Sequence, residues 1–508
     1  MILPRASGVV LHISSLPGRF GIGDLGAGAR QFTDFLAAAA QGYWQVLPLG
    51  PSCEIFGNSP YMSYSAFAGN PLFIDLADLV DQGLLSPGPL REAPDFSEYQ
   101  VDYQAVTAYR EPLLAQAALE FRANPSAEYD SFCDGTKWLG DYCLFMALRE
   151  RYQELPWYRW PVEVARREPA TLARMREELA QSVDYHRFLQ FQFARQWASL
   201  RDYARERGVK LIGDLPIYVS HDSADVWAHP EYFCLQPETM LPTHVAGVPP
   251  DYFSATGQRW GNPLYLWRDR DGQVNQSLYS WWGERLGRLL ELVNLCRIDH
   301  FRGFDSFWEI EASEETAQNG RWVAGPGLDF FEAMRQLLGD LPIIAEDLGI
   351  ITPGVTELRH RVGLPGMRVL QFAFDFDEKN AYLPHNFTST NTVVYTGTHD
   401  NNTTLGWFMG EELNEPVRDL VRRYLRSDGR EINRDLIRLA LSSVAGLAIF
   451  PLQDVLGFGA DCRMNTPGTS EGNWRWRCAA RFLTDEAAAW LQEDTIFYNR
   501  TGSFNREA

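Results

Sequence analysis

The sequence predicts an α/β protein of the (β/α)8 barrel class, with large insertions after strands 2, 3 and 4. Three observations carry this expectation. Eight short apolar, β-rich runs recur along the chain, each stopping abruptly at polar residues or glycine. Helical periodicity lies between several of them. The 508 residues, 45% hydrophobic and 22% charged with 41 Gly and 29 Pro, have ordinary globular composition and enough length for one barrel with a sizeable core.

Continuous rather than alternating apolar runs mean strands buried on both faces, the habit of a parallel sheet covered by helices. The first is GVVLHIS from Gly8. The opening stretch MILPRASGVVLHISSLPGRFG carries His12 and two serines in its short apolar segment and lacks a small-residue cleavage pattern, so it reads as a strand and not a signal. Helical periodicity follows in QFTDFLAAAA from Gln31, then the second run, YWQVLPLG from Tyr43. Residues 51–208 are rich in helix formers and charge, as in ARREPATLARMREELAQ from Ala165, and read as a mainly helical insertion with solvated charged faces.

The third run is VKLIGDLP from Val209. Residues 215–294 concentrate Pro, Gly and Trp in GVPPDYFSATGQRWGNPLY and read as a loop-rich insertion, and long loops inside a compact domain are usually functional. LCRID from Leu295, PIIAEDLG from Pro342, MRVLQFAF from Met367, TVVYTGTHD from Thr392 and LAIFPLQD from Leu447 complete the eight, with helical PVRDLVRRYLRS from Pro416 before the last. No internal repeat, low-complexity tract or clean linker divides the chain, so residues 1–508 read as a single catalytic barrel domain.

The charge balance narrows the partners. With 46 Lys and Arg against 66 Asp and Glu the net charge is −20, which repels phosphate backbones and anionic lipid and argues against nucleic acid and membrane partners. The longest uncharged apolar stretch, residues 439–452, is too short to span a bilayer and contains Pro451. Seven cysteines without a CxxC pair suggest neither a disulfide framework nor a zinc site, and a reducing, cytoplasmic setting is expected. The 16 Trp, 21 Tyr and 30 Phe are mostly core, yet numerous enough to offer rings to a neutral ligand with an apolar face and a polar rim, such as a sugar.

Active sites of such barrels lie at the C-terminal strand ends, and here those ends are acidic. Asp214 ends the third run, Asp299 the fourth and Glu346 with Asp347 the fifth, while Asp400 follows the seventh after His399. Each alone has a bland reading as a helix N-cap. Several converging on one rim do not, because capping needs no clustering and repulsion penalises it. Arg297 and Asp299 stand two apart on one strand, so they share a face, and the cation favours the ionised acid. Glu346 emerges from an apolar strand among other acids, where desolvation and like charge both raise its pKa. One ionised and one protonated carboxyl is the pairing that glycoside cleavage needs.

A metal-dependent barrel hydrolase is the competing chemistry, since His300 beside Asp299, His399 beside Asp400 and His221 beside Asp222 are plausible ligands. Against it, there is no HExxH and no early HxH, and His12 stands alone on the first strand.

Seven segments, in order, resemble the 4-α-glucanotransferases of the amylomaltase type, relatives of the α-amylases. They are SPYMSYSAFAGNPLFIDL from Ser59, GVPPDYFSATGQRWGNPLY from Gly247, CRIDHFRGF from Cys296, IAEDLGIITPGV from Ile344, GMRVLQFAF from Gly366, TGTHDNNTTLGW from Thr396 and RMNTPGTSEGNWRWR from Arg463. The resemblance implies Asp299 as nucleophile, Glu346 as general acid and base, and Asp400 as a third carboxylate binding sugar hydroxyls, assisted by Arg297 and His399. It also places Asp214, Tyr61, Trp260, Asn465 and Asp251 around the bound glucan, with the loop GVPPDYFSATGQ shaping the acceptor side. It implies transfer of α-1,4-glucan segments to another glucan or to glucose by retaining double displacement, without metal or other cofactor. A plain α-glucan hydrolase and a non-catalytic glycan-binding protein are the remaining alternatives. Departures are local: GPSCEIFGNSPY is slightly longer than the usual pattern, and Asn58 and Asn402 stand where Asp is usual. Since the first strand lies so near the start of the sequence, no N-terminal carbohydrate-binding module is expected.

Overall fold

The computed structural model describes residues 3–250, 254–269 and 271–502. Its strands are β1 Ala6–Val10, β2 Tyr43–Gln45, β3 Lys210–Leu215, β4 His244–Val248, β5 Gln258–Pro263, β6 Leu295–Ile298, β7 Ser306–Glu311, β8 Gly320–Ala324, β9 Ile343–Ala345, β10 Gly366–Val369, β11 Thr392–Tyr395 and β12 Leu447–Pro451. Eight close into a parallel barrel in the order β1-β12-β11-β10-β9-β6-β3-β2, and each lies at one of the eight apolar runs. Double-sided burial is the reason those runs are continuous. Val9, Ile212, Ile298, Ile344, Met367, Val393, Val394, Ile449 and Phe450 are all fully buried, at about 1.5–3 kcal/mol for each large side chain.

Helices cover the outside. Ala27–Ala38 turns Phe32, Phe35 and Leu36 inward between β1 and β2. Gln276–Leu292 precedes β6, started by the Asn275 side chain accepting the Leu278 N–H. Pro353–Val362 precedes β10, with Thr352 accepting the Val355 N–H and a proline in the first turn, where its missing N–H costs nothing. Residues 51–208 contain the long helices Tyr103–Arg122, Leu139–Arg151 and Ala180–Glu206.

Residues 215–294 depart from the loop-rich expectation. They hold β4 and β5 as well as the helix Gln276–Leu292, and the two strands join β7 and β8, from the insertion after β6, in an antiparallel sheet of order β5-β4-β7-β8. HVAGV and QRWGNP are short and carry Gly or Pro, so local preference does not mark them as strands. HVAGV is stabilised by pairing with residues far along the chain, such as Val245 with Ile310, and QRWGNP pairs at the sheet edge with HVAGV, as Gln258 with Val248.

One glycine is dictated by close approach. A Cβ on Gly8 would lie 2.4 Å from the Tyr43 carbonyl oxygen and 2.6 Å from its Cβ, across the β1–β2 pair. We expect Gly8→Ala to cost about 1–3 kcal/mol by overpacking. A fall of the thermal unfolding midpoint in calorimetry checks this; an unmoved midpoint would mean that the two strands separate freely.

Candidate active site

The strand register assembles the site. Asp214 and Arg297 are direct partners across β3 and β6, as are Leu215 and Ile298, and Ile298 is in turn the partner of Ala345 across β6 and β9. Asp299 and Glu346 are therefore the next residues on two adjacent strands, which run about 4.8 Å apart. The ladder continues into both, since the Asp299 N–H donates to the Leu215 carbonyl and the Glu346 N–H to the Ile298 carbonyl, each at 3.0 Å.

Arg297 is buried between two carboxylates. Its Nη1 lies 2.8 and 2.6 Å from the two oxygens of Asp214, and its Nη2 donates to Asp299 Oδ1 at 2.8 Å. The acids differ in access: the Asp214 side chain is 0% exposed and that of Asp299 is 31% exposed. Asp299 is the more accessible of the two. The Asp214 oxygens accept from Arg297 and from the Tyr61 hydroxyl, which donates to it at 2.7 Å. It orients those two groups from below.

Glu346 is held by backbone. Its Oε2 accepts the His300 N–H at 2.7 Å and its Oε1 the Leu348 N–H at 2.8 Å. His300 adopts the left-handed conformation, φ 53° and ψ 48°, at a cost of about 1–2 kcal/mol for a residue with a side chain. That conformation aims its amide at the carboxyl. Burial, and then the neighbouring Asp299 charge, push the Glu346 pKa up to about 7 against the pull of Arg297 and the two amides.

The third acid lies beyond β11, across the mouth. Asp400 Oδ2 is 3.3 Å from His399 Nε2, its Oδ1 accepts from Asn465 Nδ2 at 2.6 Å, and its carbonyl accepts from Arg463 at 2.6 Å. Burial opposes charge on both members of the pair, yet each sustains the other: His399 is raised, and Asp400, with Asn465 also donating, falls to about 2. The His399 ring stacks on Tyr61 at 4.9 Å, and Trp474 lies 5.8 Å from each, closing an aromatic corner. An open pocket lies beside His399, walled by Leu47, Pro451, Met464 and Trp476 and edged by His12, Asn401 and Arg463.

Trp260, on β5, sets its ring against His300 at 4.8 Å and 87°, so the antiparallel sheet reaches the mouth from the opposite side. Asp251 falls outside the described residues. The structure thus brings Asp299, Glu346, Arg297, Asp214, Tyr61, His399, Asp400, Asn465 and Trp260 to one rim.

The histidines do not form the set that a metal mechanism needs. His221 bonds to the Met240 carbonyl at 2.8 Å and stacks on Tyr158, while His300 is edge-on to Trp260. Among the described residues no three His, Cys, Asp or Glu groups are placed to hold a metal ion. Burial lowers His300 and His221 to about 4, leaving both neutral near pH 7.

Two of the three local departures, the asparagines, have physical reasons. Asn58 sits at φ 58°, a conformation that Asn tolerates well. Asn402 donates to Glu412 at 2.7 Å, where an aspartate would face a like charge. Trp474, Arg463 and the His300 amide were not singled out from sequence. The first two lie in the segment RMNTPGTSEGNWRWR, whose aromatic and basic residues were the available signal. A backbone amide leaves none.

Comparison with known proteins follows the same line. The 4-alpha-glucanotransferase family model matches residues 11–483. The 4-alpha-glucanotransferase of Synechocystis sp. is 51% identical over 507 residues, covering 98% of this chain and 99% of that protein. That of Thermus thermophilus is 48% identical, covering 97% and 98%. The structure of amylomaltase from Streptococcus agalactiae in complex with acarbose matches with a TM-score of 0.93 at 40% identity, covering 98% of this chain and 99% of that one.

Proposed function

The chain belongs to the 4-alpha-glucanotransferase family, its activity is the transfer of α-glucan segments, and from that premise we propose that it acts by retaining double displacement through Asp299 and Glu346. A carboxylate oxygen of Asp299 attacks the anomeric carbon as Glu346 gives its proton to the departing glycosidic oxygen, leaving a glycosyl ester. Glu346, now a carboxylate, takes the proton of an incoming 4-hydroxyl. That oxygen displaces Asp299 from the anomeric carbon, and an α-1,4 bond forms again. The bond broken and the bond made are alike, so the exchange is close to thermoneutral.

The observation that carries this reading is the placement of two unlike carboxyls on neighbouring strands. Asp299 is clamped by Arg297, and Glu346 is pushed up to about 7 by burial and by Asp299. The origin of that shift fits both half-reactions. While Asp299 is charged, Glu346 is favoured as the acid; once Asp299 is esterified its charge is gone, one cause of the shift disappears, and Glu346 ionises more readily as the base is needed. Retaining enzymes hold their carboxyls about 5–5.5 Å apart, a separation that side chains from adjacent strands can supply.

Asp400 and His399 hold hydroxyls of the reacting ring, Asn465 and the Tyr61 face complete the donor side, and Trp260 forms the acceptor side. Since water is present at tens of molar, transfer requires an acceptor hydroxyl oriented well enough to compete, and we assign that to Trp260 packed on His300. The substrates are α-1,4-glucans, with glucose among the acceptors. We assign the compartment as the cytoplasm because all seven cysteines are free, as a reducing setting keeps them.

Maltotriose tests the reading against hydrolysis. Incubated alone, it should give glucose and a ladder of longer chains while the number of reducing ends stays constant, and labelled glucose should enter the ladder. Rising reducing ends without longer products would identify a hydrolase.

A further inference from the structure

We propose that Asp454 is a positioning residue for the third carboxylate, a staple that closes the segment 396–404 carrying His399 and Asp400. The inference rests on the role given to Asp400 above. Asp454 lies in the short helix Leu452–Leu456 directly after β12, the barrel neighbour of β11. Its Oδ2 accepts from the Thr396 hydroxyl at 2.6 Å and from the Thr404 hydroxyl at 2.8 Å, and its Oδ1 accepts the Thr404 N–H at 2.6 Å. Thr396 is the first residue after β11, and Thr404 is the first residue of the helix Thr404–Met409. One carboxylate therefore ties together the departure and the return of the segment.

The three residues are at most 1% exposed, so water does not take over their bonds. No cation pairs with Asp454 among the described residues, and the loop donors are its hydrogen-bond partners. Inside the segment, Asn401 Oδ1 accepts from the Thr398 N–H and hydroxyl, each at 2.9 Å, and the Thr398 hydroxyl meets the Asp400 N–H at 3.3 Å. Asp400 thus hangs on a closed turn whose base is Asp454. Asp299 and Glu346 ride on β6 and β9 and do not depend on it.

Four variants test this: Asp454→Ala, Asp454→Asn, Asp400→Asn and the double variant Asp454→Ala/Asp400→Asn. Each is assayed for kcat and KM on maltotriose, for acarbose affinity by calorimetry and for pH profile. Displacing Asp400 by a fraction of an ångström or more should lower kcat and acarbose affinity in Asp454→Ala by about 10- to 100-fold, with the alkaline limb of Glu346 unmoved. Asp454→Asn should restore activity to within about threefold of the parent, since its oxygen still accepts the Thr404 N–H and its amide can donate to hydroxyls that reverse their role. Adding Asp454→Ala to Asp400→Asn should weaken acarbose by much less than it weakens the parent, since His399 alone is left to be misplaced. If Asp454→Ala does not fold, Thr396→Val/Thr404→Val removes the hydroxyl arms from the loop side and should give the same losses.

An unimpaired Asp454→Ala beside an impaired Asp400→Asn would sink the staple alone, as would losses that multiply in the double variant. A fully active Asp400→Asn would sink the reading of Asp400 and the proposal with it.

Discussion

Asp299→Asn should lower glucan transfer by about 10⁴-fold or more while leaving the fold intact. The amide lacks the anionic oxygen that forms the ester, and nothing else at the rim can replace it: Asp214 is fully buried beneath Arg297, and Asp400 is engaged by His399 and Asn465. Stability should hold because the asparagine oxygen can still accept from Arg297 Nη2, and the guanidinium keeps its pairing with Asp214. The contrasting change, removal of Arg297, would strand two acids and belongs to the class that costs about 3–5 kcal/mol. Asp299→Asn also carries a signature away from the rate. Asp299 is one of the two causes that raise Glu346, so its neutralisation should lower the Glu346 pKa from about 7, with burial sustaining part of the shift. Single-turnover rates, a calorimetric scan and a carboxyl titration by NMR would check the three statements together. Transfer within tenfold of the parent would mean that the attacking group lies elsewhere.

What could be read from sequence, and what could not, divides along a physical line. Barrel strands are legible because burial on both faces leaves an unbroken apolar run, as in VKLIGDLP or LAIFPLQD, and a strand that ends at the mouth delivers its last polar residue there. Asp299, Glu346 and the Arg297 pairing follow from that rule together with the two-residue repeat. The strands His244–Val248 and Gln258–Pro263 are not legible, because the first is stabilised by a distant partner, the second is an edge strand paired to the first, and no local pattern marks either. The burial of Asp214 is hidden for a similar reason, since the sequence shows a strand-end acid but not that Tyr61, from a different insertion, caps it. The His300 amide and the Asp454 staple are still further from view. One depends on a left-handed backbone, the other on threonines that any strand end tolerates.

Glu346→Gln should separate the two halves of the reaction. On maltotriose, where the leaving sugar oxygen needs a proton, it should cost about 10²- to 10⁴-fold. On an α-maltosyl fluoride donor the first step should be nearly untouched, because fluoride departs without protonation, and the glycosyl ester should accumulate. The pH dependence follows in sign. Glu346 is protonated below about 7 and ionised above it, so parent activity on maltotriose falls as pH rises through that value, whereas ester formation from the fluoride in the variant should lack this limb. Glutamine has one structural cost: Glu346 accepts N–H groups with both oxygens, and the amide can satisfy only one of His300 and Leu348. An unpaired buried donor is worth about 1–3 kcal/mol, so Glu346→Ala serves as the companion variant, leaving room for a small anion. Azide added to it should intercept the ester on the vacated side and give an α-linked glycosyl azide, the configuration of the donor kept through two inversions. A β-linked azide from that variant would place the nucleophile and the acid the other way round.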